Sequence, residues 1–450
     1  MTPLHIFSKE RAAPMTATYR DHPLRAALAD EVHARPFISI TSPQNFSHFA
    51  MVRNGVAATA DHAHLCRLCA HLGHPAPPNT NSAMIHFGDF NLRWESHGEF
   101  STWTFFAPAR DRDLFVQRCL DRVPLDWLDA LPGLRLAAFN VALVTVDQRR
   151  SPAEIDILFR EGSIVGSKVA AGAAELWTDF RTHDDGFGRI LVQDIALQPR
   201  QAGRLVQRVL EIETYRMMAL LGLPVAQTAA RELKRIDRAL ADIMPSIQNA
   251  TGTDQENTLL ERLITLGTEI ERITVDCDYR FGATKAYHTV IEHRIRELRE
   301  IKIEGLQTVA EFFDRRLGPA MRTCVATSER MHSIGGRLAR CSDLLQTRVG
   351  IAREMQNHRL LNSMDRRASI QLGLQATVEG LSIAAISYYA IGLLLYFAHG
   401  VAAAGAPINV TIVMGLATPL ICLTVWYVVR RIRNRIMTQA GAAAERETAP

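Results

Sequence analysis

The chain has 450 residues, 22% of them charged, and a formal net charge of only +4. That length fits about two or three domains, and the near-balanced charge argues against nucleic acid held on a strongly basic surface. Seven scattered cysteines, an odd number without framework spacing, argue against a disulfide scaffold and for a reducing compartment.

Residues 1–20 read as a flexible leader with no sustained apolar stretch of the signal-peptide kind. A short helix is predicted at Pro23–Val32, followed by a Pro-marked extended segment. Here His33 and Arg35 precede Pro36. The arginine fork can orient an anionic ligand; equally, the pair can lock the leader onto the domain through buried hydrogen bonds.

From Phe46 to about Gln198, period-two alternation and aromatic or β-branched enrichment predict strands at 46–53, 83–94, 99–107, 136–147, 163–170, 174–181 and 187–195. Helices are predicted near 57–72, 111–122 and 152–160. Hairpin-length separations between short strands imply an α+β domain over 21–198 with a mostly antiparallel sheet.

Three clusters in this domain carry polar chemistry. Asp61 to His74 holds His62, His64, His71 and His74 around Cys66 and Cys69. A Cys-x-x-Cys with neighbouring histidines is compatible with zinc, but the segment is helical, a packed helix explains the same spacing, and no metal site is assigned. In Arg93-Trp-Glu-Ser-His-Gly-Glu99, an uninterrupted strand would project Glu95, His97 and Glu99 from one face. Two carboxylates flanking an imidazole suit ligand or cation binding, or acid–base work. A hairpin at Gly98 would break the alternation before Glu99. His183-Asp-Asp-Gly-Phe-Gly188 reads as a turn. No phosphate-binding loop, dinucleotide fingerprint or nucleophile elbow is present, and the cofactor is left unknown.

Past Pro199 the pattern turns helical: 201–221 closed by Gly222-Leu-Pro224, then 226–246 and 254–275. Ile291, Ile295, Leu298, Leu306, Val309, Phe313 and Leu317 recur at helical spacing as far as Gly318-Pro319. Beyond it, Ile334, Leu338, Cys341, Leu345, Val349, Ala352 and Met355 trace a narrow apolar seam. Helix pairing produces such seams, so 199–372 is predicted as a long, coiled-coil-like stalk. No proline interrupts 320–398, which allows one helix to run on, with Gly335-Gly336 the expected kink.

Residues 373–436 are predicted to form a transmembrane hairpin. Between Glu379 and Arg430 there are 50 residues without Asp, Glu, Lys or Arg. The spans, about 381–398 and 408–429, are each near the ~20 residues that cross a hydrocarbon core. Arginines at 348, 353, 359, 366 and 367 precede them and arginines at 430, 431, 433 and 435 follow, while the intervening turn is uncharged. Cationic flanks stay inside, so both termini, including the flexible tail 437–450, are expected in the cytoplasm. Glu379, Ser382, Tyr389 and Tyr396 share one stripe of the first span. Mid-depth hydroxyls need partners, either in the hairpin (Thr411, Thr418, Thr424) or along an oligomer axis.

Six ordered blocks resemble an uncharacterised family of bacterial membrane-anchored proteins, defined as a domain of unknown function: HPLRAALADEVHARP (22–36), RWESHGEFSTWTFF (93–106), IVGSKVAAGAAELWTDFRTHDDGFGRILVQD (164–194), RLVQRVLEIETYRMMALLGLP (204–224), RFGATKAYHTVIEHRIRELRE (280–300), and QNHRLLNSMDRRASIQLGLQATVEGLSIAAISYYAIGLLLYF (356–397). The resemblance implies a cytosolic part with a C-terminal two-span anchor in a bacterial inner membrane, and no reaction. The layout is also similar to the CorA-type metal-ion transporters, though Phe397-Ala398-His399-Gly400 stands where they carry Gly-Met-Asn, and the outer turn is uncharged. The leading expectation is a membrane-anchored sensory, scaffolding or interaction protein, homo-oligomeric through its stalk and first span. The alternatives are a CorA-like ion pathway and a membrane-tethered enzyme.

Overall fold

The apolar and β-branched segments of the first 200 residues become strands, the central ones β1 and β4 burying side chains on both faces. They are β1 (Gln44–Val52), β2 (Ser82–His86), β3 (Asn91–Ser96), β4 (Phe100–Pro108), β5 (Leu134–Val144), β6 (Val165–Val169), β7 (Ala174–Thr182) and β8 (Gly188–Asp194). A two-residue β9 (Ile301–Lys302) joins the edge, giving one sheet in the order β2-β3-β4-β1-β5-β8-β7-β6-β9. Seven of the eight strand pairings are antiparallel; β5 and β8 run parallel. The computed structural model describes residues 22–25, 28–29, 37–109, 114–115, 119–159, 164–250, 252–404 and 409–447, with 253 and 433–447 as backbone only. His33 and Arg35 lie outside the described residues.

The helices are α1 (Ala58–His71), α2 (Leu125–Asp129), α3 (Pro152–Leu158), α4 (Pro199–Leu220), α5 (Gly222–Asn249), α6 (Thr253–Leu298), α7 (Val309–Arg316), α8 (Gly318–Ala403) and α9 (Val410–Glu447). The expected strand 83–94 is two strands: Gly88, at φ 84°, turns the chain, and Phe87 N–H donates to Phe90 O at 2.9 Å. The apolar repeat over 291–317 is likewise interrupted. α6 stops at Leu298, β9 pairs with β6, and α7 restarts behind a Thr308/Glu311 capping box. Gly318-Pro319, read as a helix end, opens α8, where proline's fixed φ is tolerated. α8 then passes Gly335-Gly336 without a break and extends for 86 residues.

Both faces of the sheet are covered. On one, Phe46, Phe100, Phe106, Phe139 and Val141 pack with Val206, Val209 and Leu210 of α4. On the other, Phe49, Leu92, Trp94, Trp103 and Phe105 meet Leu65 and Leu68 of α1 and Trp127. Alternate residues of β4 supply both cores, so a one-residue slip would exchange them.

The chain divides into two compact units, Met1–Ala250 with Thr258–Ser342, and Thr251–Asn257 with Asp343–Pro450. In the first, α5, α6 and the start of α8 pack through heptad-like apolar positions: Leu233, Ile236, Leu240, Leu263, Ile270, Ile334 and Leu338 are all buried. Arg330 and Arg337 both reach Asp237, at 3.0 and 2.7 Å, and Cys341 Sγ lies 3.4 Å from Met244 Sδ. The upper part of the predicted seam is therefore occupied within the chain itself. In the second unit, α8 and Val410–Ile432 are long and apolar enough to cross a membrane.

Candidate ligand-binding site

The register of β3, β4, β1 and β5 aligns side chains into rows across the sheet. One row runs Arg93, Thr104, His48, Phe139; its neighbour runs Glu95, Thr102, Ala50, Ala137. The first row contributes Arg93, Thr104 and His48, and the second Glu95 and Thr102, to a space beneath Val206 and Leu210 of α4. A cavity of about 330 Å³ results, lined by Arg93, Glu95, His97, His48, Phe46, Phe100 and Phe106 of the sheet, Gln207, Glu211 and Thr214 of α4, and Arg294 of α6, among others. That size is at the small end for ligand sites.

Its floor is aromatic and its wall is charged. Phe46 and Phe106 stack with centroids 5.6 Å apart, and Phe100 meets Tyr215 edge-on at 6.1 Å. Arg93, buried, donates to Glu95 Oε1 at 2.9 Å and to Gln207 Oε1 at 3.2 Å. Gln207 in turn donates to Glu211 Oε1 at 2.8 Å, and Arg294 pairs with Glu211 and, at 2.8 Å, with Glu297. Arg93 keeps unused N–H donors and Glu95 a second oxygen, so the wall offers both signs of charge without leaving a buried ion alone.

His48 sits at the base with both ring nitrogens engaged, Nδ1 with Thr104 Oγ1 at 2.8 Å and Nε2 with Thr214 Oγ1 at 3.0 Å. Burial, reinforced by nearby His97 and Arg93, lowers its pKa to about 3. It is a neutral, orienting group that bridges the sheet to α4, and it is poorly placed to carry protons.

Two neighbouring devices fix the walls. Arg53 clamps the hairpin that presents His97: it donates to His97 O, to Gly98 O at 3.0 Å and to Ser96 Oγ at 2.6 Å. Asp61 of α1, fully buried, holds Arg53 at 3.1 Å. The segment 37–40, which contributes Phe37, Ile38 and Ile40 to the cavity, crosses α4 at Gly203. A Cβ there would stand 1.7 Å from Ile38 O.

Of the residues singled out in the sequence, Glu95 and His97 line this cavity. β3 ends at Ser96, and the turn at His97–Gly98 sends Glu99 elsewhere. Glu99 accepts from Tyr287 OH at 2.6 Å and pairs with Arg280, tying the hairpin to α6. The half-buried Tyr287 hydroxyl is raised in pKa by burial and by Glu99. His48, Arg93, Gln207, Glu211 and Arg294 were not singled out. Arg93 sits one period-two step from Glu95, and His48 is the only imidazole in an apolar strand; Gln207, Glu211 and Arg294 come from helices distant in sequence.

Within the histidine and cysteine cluster of α1, His64 and Cys69 are packed and His71 is exposed. His64 stacks on Trp127 at 4.3 Å, its Nε2 is 3.0 Å from Trp127 O, and burial lowers its pKa to about 4. Cys69 is buried, which raises its thiol pKa. Among the described residues no group of three His, Cys, Asp or Glu side chains is placed to hold a metal ion. Along the polar stripe of the first span, Ser382 donates to Val378 O at 2.8 Å, while Tyr389 and Tyr396 are 71% and 80% exposed. Thr418 and Thr424 donate to carbonyls of their own helix at 2.7 Å; they do not serve the tyrosines.

Residues 20–436 match a family model described as "Protein of unknown function (DUF3422)", and the chain belongs to that family. Neither curated proteins nor solved structures gave a match.

Proposed function

We propose that this DUF3422 protein is a membrane-anchored sensory module whose sheet domain binds a small amphipathic ligand in the Arg93–Glu95 cavity. The observation that carries this reading is the cavity's composition. An aromatic floor lies beneath a wall bearing both Arg93 and Glu95, with His48 engaged at its base. Such a wall suits a molecule with an apolar ring and both an acidic and a basic group. Its carboxylate would take the spare Arg93 donors and its ammonium the free oxygen of Glu95. Titration calorimetry of the full chain in detergent with L-phenylalanine, phenylacetate and tyramine tests this. The zwitterion is expected to bind tightest; absence of binding by all three contradicts it.

In this reading the two apolar helices are the anchor, both ends face the cytoplasm of a bacterial cell, and copies self-associate through α8. Support comes from the basic flanks around an uncharged turn and from the exposed apolar side chains Met355, Leu360, Leu361 and Met364 of α8. A reporter fused after Pro450 that was active in the periplasm would overturn the orientation.

A CorA-like oligomeric pathway is the second reading. It is favoured by one helix, α8, carrying both stalk and apolar segment, with Tyr389 and Tyr396 lacking hydrogen-bond partners among the described residues. Ion flux through liposomes that disappears in Tyr389→Phe would move it ahead. An enzymatic role gains least, because His48 is held neutral with both nitrogens occupied.

A further inference from the structure

The bulge and turn between β7 and β8 shape a second polar cavity that shares no lining residue with the first. β7 loses register between Thr178 and Thr182, and Phe180, inside the bulge, takes φ 53°. The following turn closes with Gly186 N–H donating to His183 O at 2.9 Å, and Gly186 takes φ 80°. Together with β5 and α4 these segments enclose about 200 Å³.

The wall holds four arginines, Arg135, Arg181, Arg189 and Arg216, against one carboxylate, Glu213. Arg216 is neutralised by Glu213 through two bonds of 3.0 and 2.8 Å. Arg189 is held more loosely: Asp185 Oδ2 is 3.8 Å from its Nη2, its Nη1 donates to Leu158 O at 3.4 Å, and its Nε is buried without an acceptor among the described residues. Arg135 has no hydrogen-bond or ion-pair partner among the described residues; its guanidinium lies 6.0 Å from the Phe187 ring. Glycine at 186 keeps the approach open, since a Cβ there would stand 3.4 Å from Arg135 Nη2. Cations gathered in a small polar recess repel one another until an anion joins them, and guanidinium forks match tetrahedral oxyanions in geometry.

We propose that this cavity binds the phosphate group of a small phosphate monoester, either a soluble compound or the headgroup of a phosphatidic-acid-type lipid. The volume accommodates a phosphate and a few further atoms. Arg216→Ala would strand Glu213, so the exposed Arg135 carries the test. The full chain in detergent is titrated with inorganic phosphate at constant ionic strength, as wild type, Arg135→Ala and Arg135→Glu. Wild type is expected to bind, Arg135→Ala about tenfold or more weaker, and Arg135→Glu not at all. Reconstitution in nanodiscs of phosphatidylcholine with or without phosphatidic acid separates the sources. Loss of the phosphate response only with phosphatidic acid identifies a lipid ligand; an unchanged response identifies a soluble one. Absence of phosphate binding by wild type, or binding equal in wild type and Arg135→Glu, overturns the proposal.

Discussion

At the scale of single residues, the sheet cavity is governed by which polar atoms are committed and which are left over. Glu95 has one oxygen on Arg93 and, among the described residues, one free. Glu95→Gln should therefore weaken tyramine and L-phenylalanine by about 1.5–3 kcal/mol, the worth of a hydrogen bond to a charged group, while phenylacetate changes little. Calorimetry on the variant reads this directly. His48 and His64 give the protein an acid limb. Both imidazoles are neutral in the folded and unfolded states well above pH 6.5. As pH falls from 6.5 towards 4 for His64 and 3 for His48, the unfolded chain takes up protons that the folded one refuses. Stability should fall across that window by up to about 1.4 kcal/mol per pH unit for each histidine. In His48→Gln the denaturant-derived stability at neutral pH will drop for packing reasons, but the slope with pH should become shallower. An unchanged slope would mean that His48 does not titrate as its burial requires.

At the scale of elements, two contacts set the cavity walls, and both have steep costs. Gly203→Ala places a methyl group on the Ile38 carbonyl, a backbone atom that cannot rotate away. The crossing segment must lift, which should cost at least 1–3 kcal/mol, the order typical of overpacking, and should lower L-phenylalanine affinity because Ile38 and Ile40 line the site. Asp61→Ala leaves Arg53 as an uncompensated buried charge, with an expected loss of about 3–5 kcal/mol. Asp61→Ala with Arg53→Met should recover much of it in chemical denaturation, though the hairpin bearing His97 would lose its clamp. The sequence shows elements unevenly, for physical reasons. Strands rich in aromatic and apolar residues, such as Phe46–Val52, and the Asp184–Gly186 turn are legible because strand composition and turn chemistry are local. The split at Gly88 is hidden inside one alternating run, and the break after Leu298 is hidden because α7 resumes apolar spacing after β9. Glu95 and His97 are legible as polar residues beside a strand end. Their partners Gln207 and Arg294 are not, since only the packing of α4 and α6 over the sheet brings them near.

At the scale of the whole molecule, the seam over 334–355 illustrates why a sequence pattern for helix pairing does not name the partner. Ile334 and Leu338 are buried inside this chain, whereas Met355, Leu360, Leu361 and Met364 are exposed. Self-association should therefore depend on the later residues. Paired substitution Leu360→Lys and Met364→Lys is expected to reduce the detergent-solubilised particle to monomer mass in light scattering, with the melting of the sheet domain unchanged. Ligand binding by the sheet domain depends most directly on the cavity itself, which can be filled without disturbing its walls. Thr102→Phe projects a ring into the space beside Glu95, so the variant should melt at or above the wild-type temperature and yet lose the heat of binding for L-phenylalanine. Calorimetry that finds the same affinity in wild type and Thr102→Phe would place any binding elsewhere and contradict the assignment of this cavity as the ligand site.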